Sequence, residues 1–467
     1  MTRLFDQIAR LCSEIINASE DGYLFVRYSC ISDKANQALQ QKLLGDLPFL
    51  CSLTSESNEN IQKVCQLSYE MLDDALLDSL EQYTEELYHH GEYFAMICLL
   101  RLLDESLESM MTEIIREYQS DSFSVVLNTN REVTGIGILP RTSCVWERKH
   151  RLSLRYDQLE SYLFHILLLD NRILGELIDK HYFLNRDLFP RFDETKSLKV
   201  ALSPLRLEPG YETVLYERNM VKYCRVHYTG KDYRRENDLI WQKILSAAEN
   251  HSDLVVFPEL LGNPDMEKDI SQRLRELNKE EQQKMPSLIV LPSLWENHRN
   301  SVIILDHHGN TLCQQTKQNP FRLVVDGKGY LEDIKTNLVV NIFHHEGIGR
   351  IAVLVCRDFL TTQYMEQLMR CFKLTLMLVP SYSTGSYDFR KSFDLCANDD
   401  CNVIWINSCA ALEKGKEANF ENIGYVRKRI GRYDDESQKL CKMPICQEAF
   451  EGKCTHDCLF FETIRGV

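Results

Sequence analysis

Three side chains, far apart in the chain, are of types that do covalent chemistry together. Cys356 closes the apolar run Ile351-Ala352-Val353-Leu354-Val355, which reads as a buried strand, and Arg357 and Asp358 follow it. A thiol where a buried strand emerges is a candidate nucleophile if a base takes its proton and something holds the developing charge. Glu259 ends a second apolar run, Leu254-Val255-Val256-Phe257-Pro258, and offers a carboxylate as that base. Lys317 lies in 313–321, beyond a turn at Gly309, and offers an ammonium that stabilises an oxyanion and lowers a thiol pKa. A strand-end cysteine by itself is more often an inert buried thiol. The order Glu, Lys, Cys on successive elements is far more specific than any one of the three.

The elements that must position them alternate. Apolar runs at 198–202, 254–259, 288–293, 301–306, 339–343, 350–355, 374–379 and 403–407 read as strands. Segments 238–250, 274–284, 365–372 and 389–398 read as helices. That alternation predicts an α/β fold with sheets covered by helices. The first part of the chain reads differently. Leu4, Ile8, Leu11 and Ile15 recur at helical spacing, and 60–118 carries the longest helical signal. Segments 122–127 and 135–139 are expected to pair as a hairpin, and 156–184 is expected to be helical. The polar, proline-bearing stretch near 190–197 marks a boundary. The expected organisation is a mainly α-helical accessory or interaction domain, 1–195, followed by a catalytic domain, 196–467.

Bulk properties exclude some classes. The 467 residues carry a net charge of −15, which argues against nonspecific coating of nucleic acid. The hydrophobic content of 44% and charged content of 26% are those of a globular protein. Charges recur every few residues at the start, and no run of about 18 apolar residues occurs, so neither a secretory leader nor a membrane span is expected. Seventeen cysteines, scattered and odd in number, suit a reducing, cytoplasmic setting.

Residues from about 198 onward resemble the nitrilase superfamily, the carbon–nitrogen hydrolases. The resemblance is carried by Lys199-Val200-Ala201, Val256-Phe257-Pro258-Glu259, Ser301–Ile304 with Gly309, Lys317, Gly349–Asp358, Val379-Pro380-Ser381 and Ile406-Asn407. It implies a four-layer αββα sandwich and cleavage of a nonpeptide C–N bond, in an amide or nitrile, through a covalent cysteine intermediate. It implies no cofactor for catalysis. Residue by residue, it implies that Glu259 is the base, Lys317 the charge stabiliser and Cys356 the nucleophile. The backbone N–H of Arg357 would be an oxyanion donor, and Ser381 and Tyr382 would line the pocket. Arg357 departs from the aromatic residue usual after the cysteine, and Glu332 is the candidate for the family's second glutamate. Arg357 and Arg322 hint at an anionic substrate. Val379–Gly385 is similar to the branch found with bacterial reverse transcriptases in anti-phage defence systems. This implies that the N-terminal helices dock a partner protein or build a homo-oligomer. The competing reading is a catalytically silent assembly or ligand-sensing module that oligomerises or binds a partner protein or nucleic acid.

The segment 438–458 reads as a Cys-rich insertion. Cys441, Cys446, Cys454 and Cys458, with His456, have the ligand types of a structural zinc site, though not the usual two-residue spacings; thiols without metal are the alternative. A late sheet strand is expected at 459–462.

Overall fold

The computed structural model describes all residues except 20–22, 57–58, 120–125, 148–155, 206–209, 230–232, 412–420, 430–438, 451–457 and 467. Two seven-stranded sheets form the centre. In the first, Arg299–Asp306, Leu288–Val290, Leu254–Val256, Ser197–Leu202 and Phe460–Arg465 lie side by side in that order. Leu294–Glu296 and Thr311–Thr316 both pair with Arg299–Asp306. In the second sheet the order is Leu440–Pro444, Asn422–Arg427, Asn402–Ile406, Leu376–Pro380, Gly349–Val353, Val339–His345 and Ile178–Phe183.

The period of two along each strand sorts side chains between layers. In the first sheet Val200, Leu202, Leu254, Val256, Leu288 and Val290 face the second sheet in one large core. Their neighbours Ala201, Val255, Phe257 and Ile289 face the other way, onto Ile240, Ile244, Ile270 and Leu274 of the helices Arg234–Glu249 and Met266–Glu276. The helices Thr362–Phe372 and Tyr387–Asn398 bring Met365, Leu368, Phe389 and Phe393 to the core of the second sheet. The result is helix, sheet, sheet, helix: the four-layer αββα sandwich, an α/β fold. Strands buried on both faces explain the near-continuous apolar runs of the sequence.

Before the sandwich lies the helical region. Its centre is Tyr93–Ser106, apolar nearly all round and therefore enclosed by its neighbours. Thr2–Ala18 packs Leu4, Phe5, Ile8, Leu11, Cys12 and Ile15 into the same core. Tyr23–Ser29, Asp33–Asp46, Asp74–His89 and Glu108–Tyr118 pack against them in the same core. No helix among the described residues is long and apolar enough to cross a membrane.

Several local expectations change. Residues 51–56 and 59–64 are paired strands, not the start of a helix. The strand Ile136–Pro140 pairs with Ile166–Asp170; of the expected partner 122–127, residues 122–125 lie outside the described residues, and the Leu127 N–H donates to the Ile138 carbonyl at 2.8 Å. The expected helix 156–184 therefore contains two strands, Ile166–Asp170 and Ile178–Phe183, joined by the single turn Asn171–Leu174. Its apolar residues satisfied helical spacing and strand alternation alike, and tertiary pairing decided between them. The expected helix 274–284 is broken at Leu277, because Asn278 caps a new one with Glu281 in a reciprocal capping box.

The seam between the two regions is a ribbon. Ile136, Ile138, Ile166 and Leu168 face the helical core, while Leu139, Leu167 and Leu169 face the sandwich core. Ile178–Phe183 then runs parallel to Val339–His345 as the edge of the second sheet. Residues ahead of 195 thus complete the sandwich; the polar stretch near 190–197 includes the short helix Pro190–Thr195, which packs Phe192 into it. Arg350 locks this seam. It is fully buried and donates to the carbonyls of Thr142 and Lys373 and to Glu147. Burial would raise the Glu147 carboxyl, but Arg141 and Arg350 overcome it and hold it at about 2. An Arg350→Ala variant leaves two buried carbonyls without this donor and Glu147 with Arg141 alone. The expected loss is about 3–5 kcal/mol, read from urea denaturation of the full chain. A loss below about 1 kcal/mol shows that the seam is held by the ribbon alone.

Candidate active site

The strands Leu254–Val256 and Gly349–Val353 lie in different sheets, and each ends three residues before its candidate side chain. One segment, Pro380–Tyr382, stitches the two ends together. The Cys356 N–H donates to the Pro380 carbonyl at 2.9 Å, and the Glu259 N–H donates to the Ser381 carbonyl at 3.3 Å. The Tyr382 N–H donates to Glu259 Oε2 at 2.9 Å. Lys317 arrives from the first sheet, one residue past Thr311–Thr316, with its N–H on the Asn300 carbonyl at 2.8 Å.

These connections put the side chains together in a nearly dry space. Glu259 and Lys317 are each 1% exposed, Cys356 4% and Glu332 6%. Lys317 Nζ lies 2.8 Å from Glu259 Oε1 and 2.8 Å from Glu332 Oε2. The Cys356 thiol lies close enough to Glu259 for the carboxylate to act on its protonation. The ammonium therefore sits between two carboxylates, one of which also faces the thiol. Burial pulls the Lys317 pKa down, but Glu259, Glu332 and Cys356 outweigh it and hold the amine well above its ordinary value. Burial, and next the Glu259 charge, push the Cys356 thiol up despite the opposing pull of Lys317. The resting pair is thus a thiol beside a carboxylate, poised for proton transfer at the moment of attack.

Glu332 reaches the site from a third sheet, which the sequence reading did not anticipate. Arg322–Val325 and Lys328–Glu332 form a hairpin, and Lys328–Glu332 pairs with Val221–Tyr228 of a second hairpin begun by Tyr211–Arg218. The Glu332 carboxylate also accepts the Phe321 N–H at 2.7 Å. Asn300 is a further buried member: its Nδ2 donates to Glu259 Oε1 at 2.7 Å, and its Oδ1 accepts from Ser293 at 2.7 Å. An amide side chain one position ahead of the apolar run 301–306 was the available signal for it. Ser381 is fully buried, and its hydroxyl accepts from Trp405 Nε1 at 3.0 Å, so it braces the strand end. The Tyr382 hydroxyl donates to the Ala410 carbonyl at 3.0 Å, and its ring meets Tyr211 at a centroid distance of 6.3 Å.

Cys356 has φ 48° and ψ −97°, outside the conformations an L-residue prefers. Such a residue costs about 1–3 kcal/mol and is held only by surroundings that over-determine it. Here the Pro380 carbonyl on one side and the turn Arg357–Leu360 on the other do so. Asp358 in that turn is fully buried and accepts from the N–H groups of Gln318 (3.0 Å) and Asn319 (2.7 Å) and from Asn319 Nδ2 (3.0 Å). It clamps the residues just after Lys317 to those just after Cys356. Burial raises the Asp358 carboxyl to about 7 against these bonds. A folded pKa above the unfolded one favours the protonated form in the fold. Its contribution to stability is full below about pH 4 and is lost as pH rises through about 7. Asp358→Asn removes this dependence. Its stability relative to the parent is expected to improve by roughly 2–3 kcal/mol between pH 5 and pH 8, read by denaturant unfolding. An equal difference at both pH values contradicts the assignment.

Cys441 lies on Leu440–Pro444 near Lys428 and Glu462. Cys446 and Cys458 are partly buried, while Cys454 and His456 fall outside the described residues. Among the described residues no three His, Cys, Asp or Glu side chains are grouped as metal ligands. The expected late strand is Phe460–Arg465, antiparallel to Ser197–Leu202.

No protein-family model matches the chain, and no curated protein matches it. Among solved structures it is similar to the NitFhit protein of C. elegans, with 15% identity over 58% of this chain and a TM-score of 0.37; the chain spans 61% of that one. It is similar to a mutant of a Nesterenkonia AN1 amidase from the nitrilase superfamily, with 15% identity over 55% of this chain and 94% of that one, and a TM-score of 0.34. It is also similar to Saccharomyces cerevisiae Nit3, a member of branch 10 of the nitrilase superfamily, with 12% identity over 58% of this chain and 90% of that one, and a TM-score of 0.34. Likeness at this level says nothing about reaction; the site geometry has to carry that argument.

Proposed function

We propose that the chain is a cysteine hydrolase that cleaves a nonpeptide C–N bond, an amide in the simplest case, through a thioester on Cys356. The observation that carries this reading is the buried carboxylate–ammonium–carboxylate group, Glu259–Lys317–Glu332, meeting a strained strand-end thiol. As Cys356 attacks the amide carbon, its proton passes to Glu259 and the carbonyl oxygen becomes an oxyanion. The Lys317 ammonium and the Arg357 N–H stabilise that charge. The C–N bond then breaks, and Glu259 gives its proton to the departing nitrogen. Water adds to the thioester as Glu259 takes its proton, the carboxylic acid leaves, and the proton returns to the thiol. Glu332 acts through Lys317, keeping it charged and aimed. Every step balances with groups on the chain and water alone.

The test is a panel of primary amides and nitriles assayed for ammonia release, with intact-mass detection of an acyl adduct mapped to Cys356. A substrate that releases ammonia and leaves that adduct on rapid quenching supports the reading. Ammonia release with the adduct on another residue overturns it.

A further inference from the structure

We propose that Arg357 selects the substrate: the amide taken by this site carries a carboxylate, which the Arg357 guanidinium binds. The inference rests on the hydrolase reading and names its substrate class.

A cavity of about 700 Å3 is lined in part by Phe321, Arg357, Ser383, Phe389 and Tyr425; Glu259, Lys317, Glu332 and Cys356 themselves do not line it. Three of these adjoin the reacting groups. Arg357 follows Cys356, Ser383 follows Tyr382, whose N–H binds Glu259, and the Phe321 N–H binds Glu332. The volume falls in the range of small-molecule sites, about 300–1,000 Å3, and exceeds what an amide group alone needs. The substrate therefore has a further body, and its charge has to suit the walls.

Among the described residues the walls carry four charged side chains, and three of them have partners. Arg390 faces Glu421 at 3.8 Å, and Asp388 is paired with Lys391 at 3.3 Å. The Arg357 guanidinium makes no ion pair or hydrogen bond among the described residues; only its backbone carbonyl is used, by Thr361. Arg322, the other arginine near the site in sequence, is placed elsewhere: its guanidinium lies across Gly329 on the neighbouring strand. Among the described residues the cavity is thus left with one unmatched positive charge, one residue from the nucleophile. A guanidinium fork binds a carboxylate through two parallel hydrogen bonds, which fixes direction as well as charge.

Two ratios test this on the full-length protein. The first compares kcat/KM for succinamate with that for butyramide. The second compares the rate of Cys356 modification by 3-maleimidopropionate with that by N-ethylmaleimide, followed by intact mass and peptide mapping. In that reaction the sulfur adds to one carbon of the double bond and the proton goes to the other, so no turnover is required. In the parent protein both ratios are expected to favour the carboxylated reagent. Arg357→Leu is expected to lower each at least tenfold, and Arg357→Lys to keep each within about threefold; Arg357→Gln serves if the leucine variant folds poorly. Ratios that neither neutral variant changes overturn the proposal. If the maleimide ratio falls as expected while no amide is hydrolysed, the anion site stands and the hydrolase reading falls. If butyramide is hydrolysed as well as succinamate, the hydrolase reading stands and the anion site falls.

Discussion

Cys356→Ala is expected to abolish turnover, by at least about 10⁴-fold, while the chain stays folded. The magnitude follows from the role: the sulfur forms the covalent bond, and neither Glu259 nor Lys317 can replace it. The fold is expected to survive because the thiol is small and the strain at φ 48° belongs to the backbone, which alanine must still adopt. Far-ultraviolet circular dichroism and the thermal midpoint are the controls, and ammonia release is the readout. Glu259→Gln is the companion. It keeps the shape but accepts only one of the two bonds that Asn300 Nδ2 and the Tyr382 N–H donate, and it loses the base, so a fall of about 10²–10⁴-fold is expected. Turnover is the readout for this variant, because losing Glu259 removes the base and also the charge that raises the Cys356 thiol. Turnover that survives in Cys356→Ala would sink the covalent mechanism.

Lys317→Met is expected to damage both stability and activity, with a pH signature that separates the two. The ammonium is the buried counter-charge of Glu259 and Glu332. Removing it leaves two dry carboxylates facing each other, at a cost of about 3–5 kcal/mol near neutral pH. Both carboxyls are then raised in the fold. By the linkage sign, a raised carboxyl contributes its full stability below about pH 4 and loses it as pH rises. The variant should therefore recover relative to the parent as pH falls from 8 to 5. In the parent, Lys317 is held above its ordinary value, so its contribution is complete below about pH 10 and is lost only in alkali. Adding Glu332→Gln to Lys317→Met should restore much of the stability. It should not restore the 10²–10³-fold of turnover expected to go with the oxyanion's cation. A single variant equally stable at pH 5 and pH 8, or a double variant that regains activity, contradicts this account.

Much of the sandwich was legible because buried strands between helices leave long apolar runs in the sequence. The strands ending near Glu259 and Cys356 were read in place for that reason, and so were the helices around 238–250 and 365–372. Segment 156–184 was misread because its leucines fit either period, and only pairing with Ile136–Pro140 and Val339–His345 makes it strand. The same ambiguity hid the ribbon that joins the two cores. The small sheet bearing Glu332 was invisible, since its hairpins are half-exposed and polar and carry no apolar stripe.

What the sequence determined by itself is the list of reactive types and the elements that end on them. An acid, an amine and a thiol at the ends of apolar runs are local facts, and local propensity and burial produce them. Their meeting was decided only by the tertiary structure. Glu259 and Cys356 belong to different sheets, and their approach depends on Pro380–Tyr382 bonding to both. Asn300, Glu332 and Asp358 take their places through contacts across 32 to 41 positions of chain. No periodicity records such contacts, because they are set by how two sheets stack and not by what either strand prefers.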